Sequence, residues 1–274
     1  MKKAAVIFLS LAVLLMPSCK NQNKKAESQN KETPELNTKE DIVAEELKVD
    51  LENLMESAKK MKPIPLATAE KDGKISLTKK EKMVKPDYLI DPAAASDLVT
   101  LSQKYRAVAM LGTDLTVANL YEMPATDYKN AIAKLLVDIN DPALDIFAQT
   151  PWTSMDDVAA AMTSLVEDEY AAERPNFFWE SAAASMIEQL FVVTRDIDKF
   201  MPMFDDQSAA DVTFNFICVH EGIKSMVELY PEMESLNAVL EPLYVINAIS
   251  VDQLKEQLTS LKGDIEAARA TLLQ

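Results

Sequence analysis

"VTFNFICVHEGIKSMVELY", residues 212–230, sets Val212, Phe216, Val219, Ile223, Met226 and Tyr230 at alternating steps of four and three. That period gathers six side chains on one face of an α-helix; a half-buried strand would alternate every second residue instead. An apolar stripe of this kind is stable only when neighbouring elements cover it. The same spacing recurs in Leu98, Leu101, Tyr105, Val108, Gly112 and Leu115, and again from Val251 through Leu254, Leu258, Leu261, Ile265 and Ala268 to Leu272.

Helix starts carry their own marks. Asp91-Pro92, Asp141-Pro142 and Tyr230-Pro231 put proline at a first turn, where its missing N–H costs nothing. Ser154, Ser208 and Ser250 each have an acid or amide three residues on (Asp157, Asp211, Gln253), the pattern of a capping box, and Asn176 is a further cap candidate. The chain has only four glycines, too few for a sheet with tight hairpins or for glycine loops around phosphate. It contains neither GxGxxG nor a P-loop lysine motif. These features predict an all-α fold: an irregular antiparallel helical bundle of about eight helices after residue 90. Three stripes also fit a seven-residue repeat, but short loops and the aromatic-rich "NFFWES" (176–181) favour packing within the chain over a coiled coil.

Upstream of the body the composition changes. Lys2 and Lys3 precede Ala4 to Met16, an apolar run that ends in Pro17-Ser18-Cys19. A basic start, an apolar middle and a small-residue exit make a secretory signal, too short to cross a bilayer as a helix. Met16-Pro17-Ser18-Cys19 resembles the lipobox of bacterial lipoproteins. The resemblance covers the first twenty residues, and Pro17 departs from the strict pattern while suiting the looser boxes of Bacteroidota-like bacteria. It implies that residues 1–18 are removed and that Cys19 is acylated and holds the protein to the membrane; ordinary cleavage with Cys19 incidental is the alternative. Lys20 rather than Asp after the cysteine implies the outer membrane, and the absence of acids there favours the periplasmic face over the cell surface.

Residues 19–85 read as a tether and stalk: a flexible lysine-rich stretch, one helix at about 40–61, and a linker in which Asp72-Gly73 is a hairpin-type turn. They carry 15 lysines against 13 acids, whereas residues 86–274, the all-α body, carry 11 basic residues against 31 acids. A body this acidic repels polyanions, so nucleic acid is excluded as a partner. If Cys19 is acylated, Cys218 has no partner for a disulfide within the chain, and stability rests on the core.

The chemistry is read mainly by exclusion. His220 is the only histidine, which rules out three-histidine zinc sites; it borders an apolar stripe and reads as a packed residue. Cys218 has no facing base and reads as buried. "DIDKFMPMFDDQ" (196–207) opens like a calcium loop and then fails, with Phe200, Met201 and Gln207 at positions that need oxygen ligands or glycine. No metal and no cofactor is expected. Glu167, Asp168 and Glu169 are expected to face solvent. Glu180 and Glu188, set in "FFWESAAASMIEQLF" (177–191), must pair, snorkel or face a cavity. Trp152, Phe178, Trp179, Glu180 and Glu188 are therefore the candidate lining of a groove for an envelope protein or for a small hydrophobic or glycan ligand. Two functions follow: a lipid-anchored binding or interaction module without catalysis, favoured here, or a carboxylate-based, glycan-degrading enzyme working through the acids of the body.

Overall fold

The computed structural model describes residues 39–144 and 154–272, with side chains from residue 48 onward. Cys19, Trp152 and the lysine-rich tether lie outside the described residues. The α-helices are α1 Lys39–Ala58, α2 Lys79–Lys82, α3 Leu101–Leu120, α4 Thr126–Ile139, α5 Met155–Ala171, α6 Pro175–Arg195, α7 Ile197–Phe200, α8 Asp206–Leu229, α9 Glu234–Leu240, α10 Val251–Ser260 and α11 Lys262–Leu272. Short 3₁₀ turns cover Pro92–Asp97, Met201–Met203, Pro231–Met233 and Glu241–Leu243. No strand occurs among the described residues, and the fold is all-α.

The core is organised around α6. Its sequence is apolar on nearly every side, as a helix needs to be when it is surrounded rather than laid on a surface. It packs against α3, α5, α8, α10 and α11. Phe178, Trp179, Ala183, Ile187, Leu190 and Val193 are buried along it. Each large apolar side chain buried this way contributes about 1.5–3 kcal/mol. Next to it α3 and α4 form an antiparallel pair in which Val108, Leu111 and Leu115 meet Tyr128, Ile132 and Leu135. Gly222 on α8 allows a close approach: a β-carbon there would stand 2.4 Å from the Trp179 ring.

Caps and turns explain where the helices stop. Ser154 and Ser250 accept from the backbone N–H of Asp157 and Gln253, and the Thr100 and Gln103 side chains reciprocate at the start of α3. Two cap expectations are corrected. Asp205, not Ser208, caps α8, because the Asp205 carboxylate accepts from the Ser208 N–H while Ser208 Oγ accepts from the Asp205 N–H. Asn176 lies inside α6, whose first residue is Pro175. Scarcity of glycine has a cost at the helix ends. Glu122 and Glu173 occupy the left-handed region, with φ of 51° and 59°, where glycine is usual. There the N–H groups of Met123 and Arg174 close back on the carbonyls of Ala118 and Glu169.

The division of the chain also differs from the expected stalk and body. The compact unit that contains the body begins at Leu54. Met61, Ile64, Leu66, Ala69, Ile75 and Leu77 are buried in it, so the segment read as a linker is part of the core. Asn215 of α8 fixes this segment by donating to the Lys62 carbonyl at 2.5 Å and accepting from its N–H at 3.0 Å. Asp72-Gly73 is not a hairpin turn. It closes a single helical turn, with Gly73 at φ 68° and the N–H of Lys74 bonded to the Ala69 carbonyl. Finally, the stripe from Val251 to Leu272 is split at Leu261, where Thr259 and Ser260 turn their hydroxyls back onto carbonyls of the preceding turn.

Candidate functional site

Helices α3, α5 and α6, Asn215 of α8 and the segment after α1 enclose an apolar groove with a cavity volume of about 140 Å³. On α6, Phe178, Ser181, Ala182, Ser185 and Gln189 recur at helical spacing and form one wall. Ala109, Gly112, Thr113 and Thr116 of α3 form the second wall, and Val158, Met162 and Leu165 of α5 form the third. Residues 61–67 complete the rim. The floor, with Ala109, Thr113, Leu165, Phe178 and Ser181, is buried, while Gly112, Val158, Met162 and Ala182 remain partly exposed. The cavity is thus an open groove with a buried floor. Small residues on the facing sides of α3 and α6 leave the space that larger ones would fill.

Most polar atoms of the lining are engaged. Thr113 and Thr116 donate to the carbonyls of Ala109 and Gly112, Gln189 donates to Ser185 Oγ at 2.8 Å, and Asn215 is tied to Lys62. Ser181 is the exception. It is 2% exposed, and its Oγ has no hydrogen-bond partner among the described residues.

The buried carboxyls lie outside this groove and are paired across helices. Glu188 receives three bonds from Arg269 of α11 at 2.7–3.0 Å, and the same guanidinium donates to the Tyr88 carbonyl at 3.0 Å. It also lies 4.0 Å over the Phe191 ring. Asp114 of α3 accepts from the Ile90 N–H at 2.7 Å and stands against Glu188. Burial raises the proton affinity of both carboxyls, and the neighbouring Glu188 charge raises that of Asp114 further. Arg269 opposes the shift at Glu188, so the upward shift falls mainly on Asp114.

Glu180 accepts from Ser102 Oγ at 2.9 Å and lies 3.8 Å from Arg106, both on α3. Burial raises its pKa, while these two partners hold it down. A further cluster was not expected from the sequence. Glu169, read as a solvent-facing acid, is fully buried because α5 docks through Leu165, Val166 and Glu169. It meets Asp141 and Arg174, and Tyr105 donates to Asp141. Burial, then the charge of Asp141, pushes Glu169 up to about 8. Asp141 stays below the usual range despite its burial, because Tyr105, the Ala143 N–H, Glu169 and Arg174 all favour its charge.

Of the residues singled out from the sequence, Phe178 lines the groove. Trp179 packs on Gly222 and donates to Tyr170 Oη at 3.1 Å, and Glu180 and Glu188 serve the pairs just described. The sequence reading missed Ser181, Ala182, Ser185, the small residues of α3 and the rim at 61–67. The signal available for the rim was the apolar series Ile64, Leu66, Ile75 and Leu77 in a stretch taken for linker. His220 is half-buried against the Tyr244 ring at 3.4 Å, and burial lowers its pKa. Burial pushes the Cys218 thiol up to about 11. The segment 196–207 folds as α7 and a 3₁₀ turn with Phe200, Met201, Met203 and Phe204 buried, not as a calcium loop.

A second hollow, of about 400 Å³, lies between the 3₁₀ turn Pro92–Asp97 and α4, bordered by Asp91 and Asp127. Both acids are exposed, and Asp91 is engaged in capping the turn through the Ala93 N–H. Among the described residues no cluster of His, Cys, Asp and Glu suits a metal ion, and no helix is long and apolar enough to cross a membrane. No family model, curated protein or solved structure matches the chain.

Proposed function

We propose that this protein is a lipid-anchored component of the cell envelope whose helical body binds a small apolar ligand without chemical turnover. The observation that carries this reading is the groove between α3, α5 and α6, apolar in its lining and open on one side. Its lining contains no carboxylate, histidine or cysteine, the groups that acid–base or nucleophilic chemistry would need. The buried acids elsewhere are held by internal partners, which suits structural pairing better than turnover.

Size narrows the ligand. Pockets for drug-sized molecules run from about 300 to 1,000 Å³, while an engineered apolar cavity of about 150 Å³ in another protein accepts benzene. A groove of about 140 Å³ therefore suits one ring or a short acyl segment, not a glycan chain. The anchor rests on the lipobox-like stretch ending at Cys19, with the outer membrane and its periplasmic face as the expected address.

Calorimetric titration with ethylbenzene and with hexanoate tests the binding reading. Saturable binding that the groove-filling variant Ala182→Leu abolishes is the expected result. Absence of binding by both probes, or binding indifferent to Ala182→Leu, refutes it. Mass spectrometry of the N-terminal peptide tests the anchor, with an acylated Cys19 expected and an unmodified Ser18-Cys19 bond counting against it.

A further inference from the structure

Buried hydroxyls in proteins are almost always hydrogen-bonded, and orphaned donors are rarer than under-used acceptors. Ser181 breaks this rule at the floor of the groove, where it is 2% exposed and its Oγ has no partner among the described residues. In a helix, a serine hydroxyl usually returns to a carbonyl of the preceding turn. Thr113 and Thr116 do so across the groove, onto Ala109 and Gly112, but Ser181 does not. Ser181 lines the cavity together with the apolar residues Ala109, Met162, Leu165, Phe178 and Ala182.

We propose that the groove selects a compact apolar molecule bearing one carbonyl-type oxygen, which accepts a hydrogen bond from Ser181 Oγ. This rests on the binding reading above and deepens it by assigning the ligand a polar feature and the protein a positioning contact. The apolar part of the ligand displaces water from the floor, and the oxygen takes the bond that the hydroxyl cannot make internally. Discrimination follows from both terms. A hydrocarbon of the same shape leaves the donor sealed off and unmet, and a more polar molecule loses solvation on walls that offer it nothing. Neither the hydrogen nor the lone pairs of the hydroxyl are in use; acceptors are favoured over donors as ligands because a buried donor left unmet is rarer than an under-used acceptor.

The test uses two probes of nearly equal shape, acetophenone and ethylbenzene, on purified, detergent-free wild-type protein and on Ser181→Ala. Acetophenone affinity is expected to fall about tenfold in the variant, with ethylbenzene affinity unchanged within about twofold. The carbonyl stretch of bound acetophenone should lie at lower frequency in the wild type than in the variant. The free proteins give a second reading. If Ser181 has no internal partner, Ser181→Ala unfolds at the same temperature as the wild type or higher. A clearly lower unfolding temperature reveals an internal hydrogen bond and overturns the proposal. So does an equal loss of both probes, or no loss of acetophenone. Failure of both probes to bind the wild type overturns the groove reading itself, whereas acetophenone binding without any dependence on Ser181 overturns only the carbonyl assignment.

Discussion

Replacing Arg269 with methionine should be among the most damaging single changes in the body, and the damage should depend on pH. Methionine keeps part of the aliphatic volume but removes the guanidinium that gives Glu188 three bonds and Tyr88 one. Glu188 is fully buried, so it cannot turn to water. Without the cation it must hold a proton in the folded state. From an ordinary glutamate pKa near 4.3, protonation at pH 7 costs about 3.7 kcal/mol, and at pH 5 about 1 kcal/mol. The lost bond to the Tyr88 carbonyl adds about 1 kcal/mol at either pH. The sum at pH 7 agrees with the roughly 3–5 kcal/mol typical when one partner of a buried pair is removed. For a body of this size, that lowers the unfolding temperature by roughly 10 °C. The sign is that of a carboxyl whose folded pKa is raised: its stability is full below the unfolded pKa and is lost as pH rises. Urea unfolding followed by tryptophan fluorescence, with Trp179 as a buried reporter, measures the loss at pH 5 and pH 7. A loss under about 1 kcal/mol at pH 7, or one that does not shrink at pH 5, would refute the reasoning.

Three further outcomes are expected. Glu169 holds its proton up to about 8, so wild-type stability should fall as pH rises from about 4.5 towards 8; Glu169→Gln, which carries no charge, should flatten that slope by on the order of 2 kcal/mol in urea titrations at pH 5 and pH 8. Gly222→Ala should cost about 1–3 kcal/mol, because its β-carbon would meet the rigid Trp179 ring, and Trp179→Leu in the same chain should recover part of that loss. Glu173→Gly should raise stability by about 0.5–1 kcal/mol by relieving a left-handed glutamate, an effect that thermal unfolding can detect.

The stripes were legible because helical burial is written in spacing alone. Val212, Phe216, Val219, Ile223 and Met226 are all buried, as their period required. Caps were legible where serine stands just before an apolar run, as at Ser154 and Ser250. They were misread at Ser208, because Asp205 competes for the same role and wins by accepting from the Ser208 backbone. The groove was hidden for a different reason. A cavity is a shortage of atoms between elements, and no local pattern says which small residues will face one another. Glu169 was misread because three consecutive acids look like a solvated helix end, while its partner Asp141 is distant in sequence and Arg174 is separated by a turn.

The two glutamates that drew attention in the sequence act on the groove without lining it. A helix that is apolar all round can rotate about its axis and still bury its surface, so hydrophobic burial alone leaves the facing of α6 weakly specified. Glu180 and Glu188, two turns apart, remove that freedom, because each is stable only when it meets its partner: Ser102 and Arg106 on one side, Arg269 on the other. Their pairing fixes which residues of α6 face α3 and α5, and so places Ser181, Ala182 and Ser185 at the groove. Stability and placement are separable. In the double variant Glu188→Met/Arg269→Met no charge is left uncompensated, so stability should return to within about 1–2 kcal/mol of the wild type. The facing of α6 then rests on packing and on Glu180 alone, and ethylbenzene should bind several-fold more weakly by calorimetry. Wild-type affinity in a stable double variant would show instead that packing alone orients the helix.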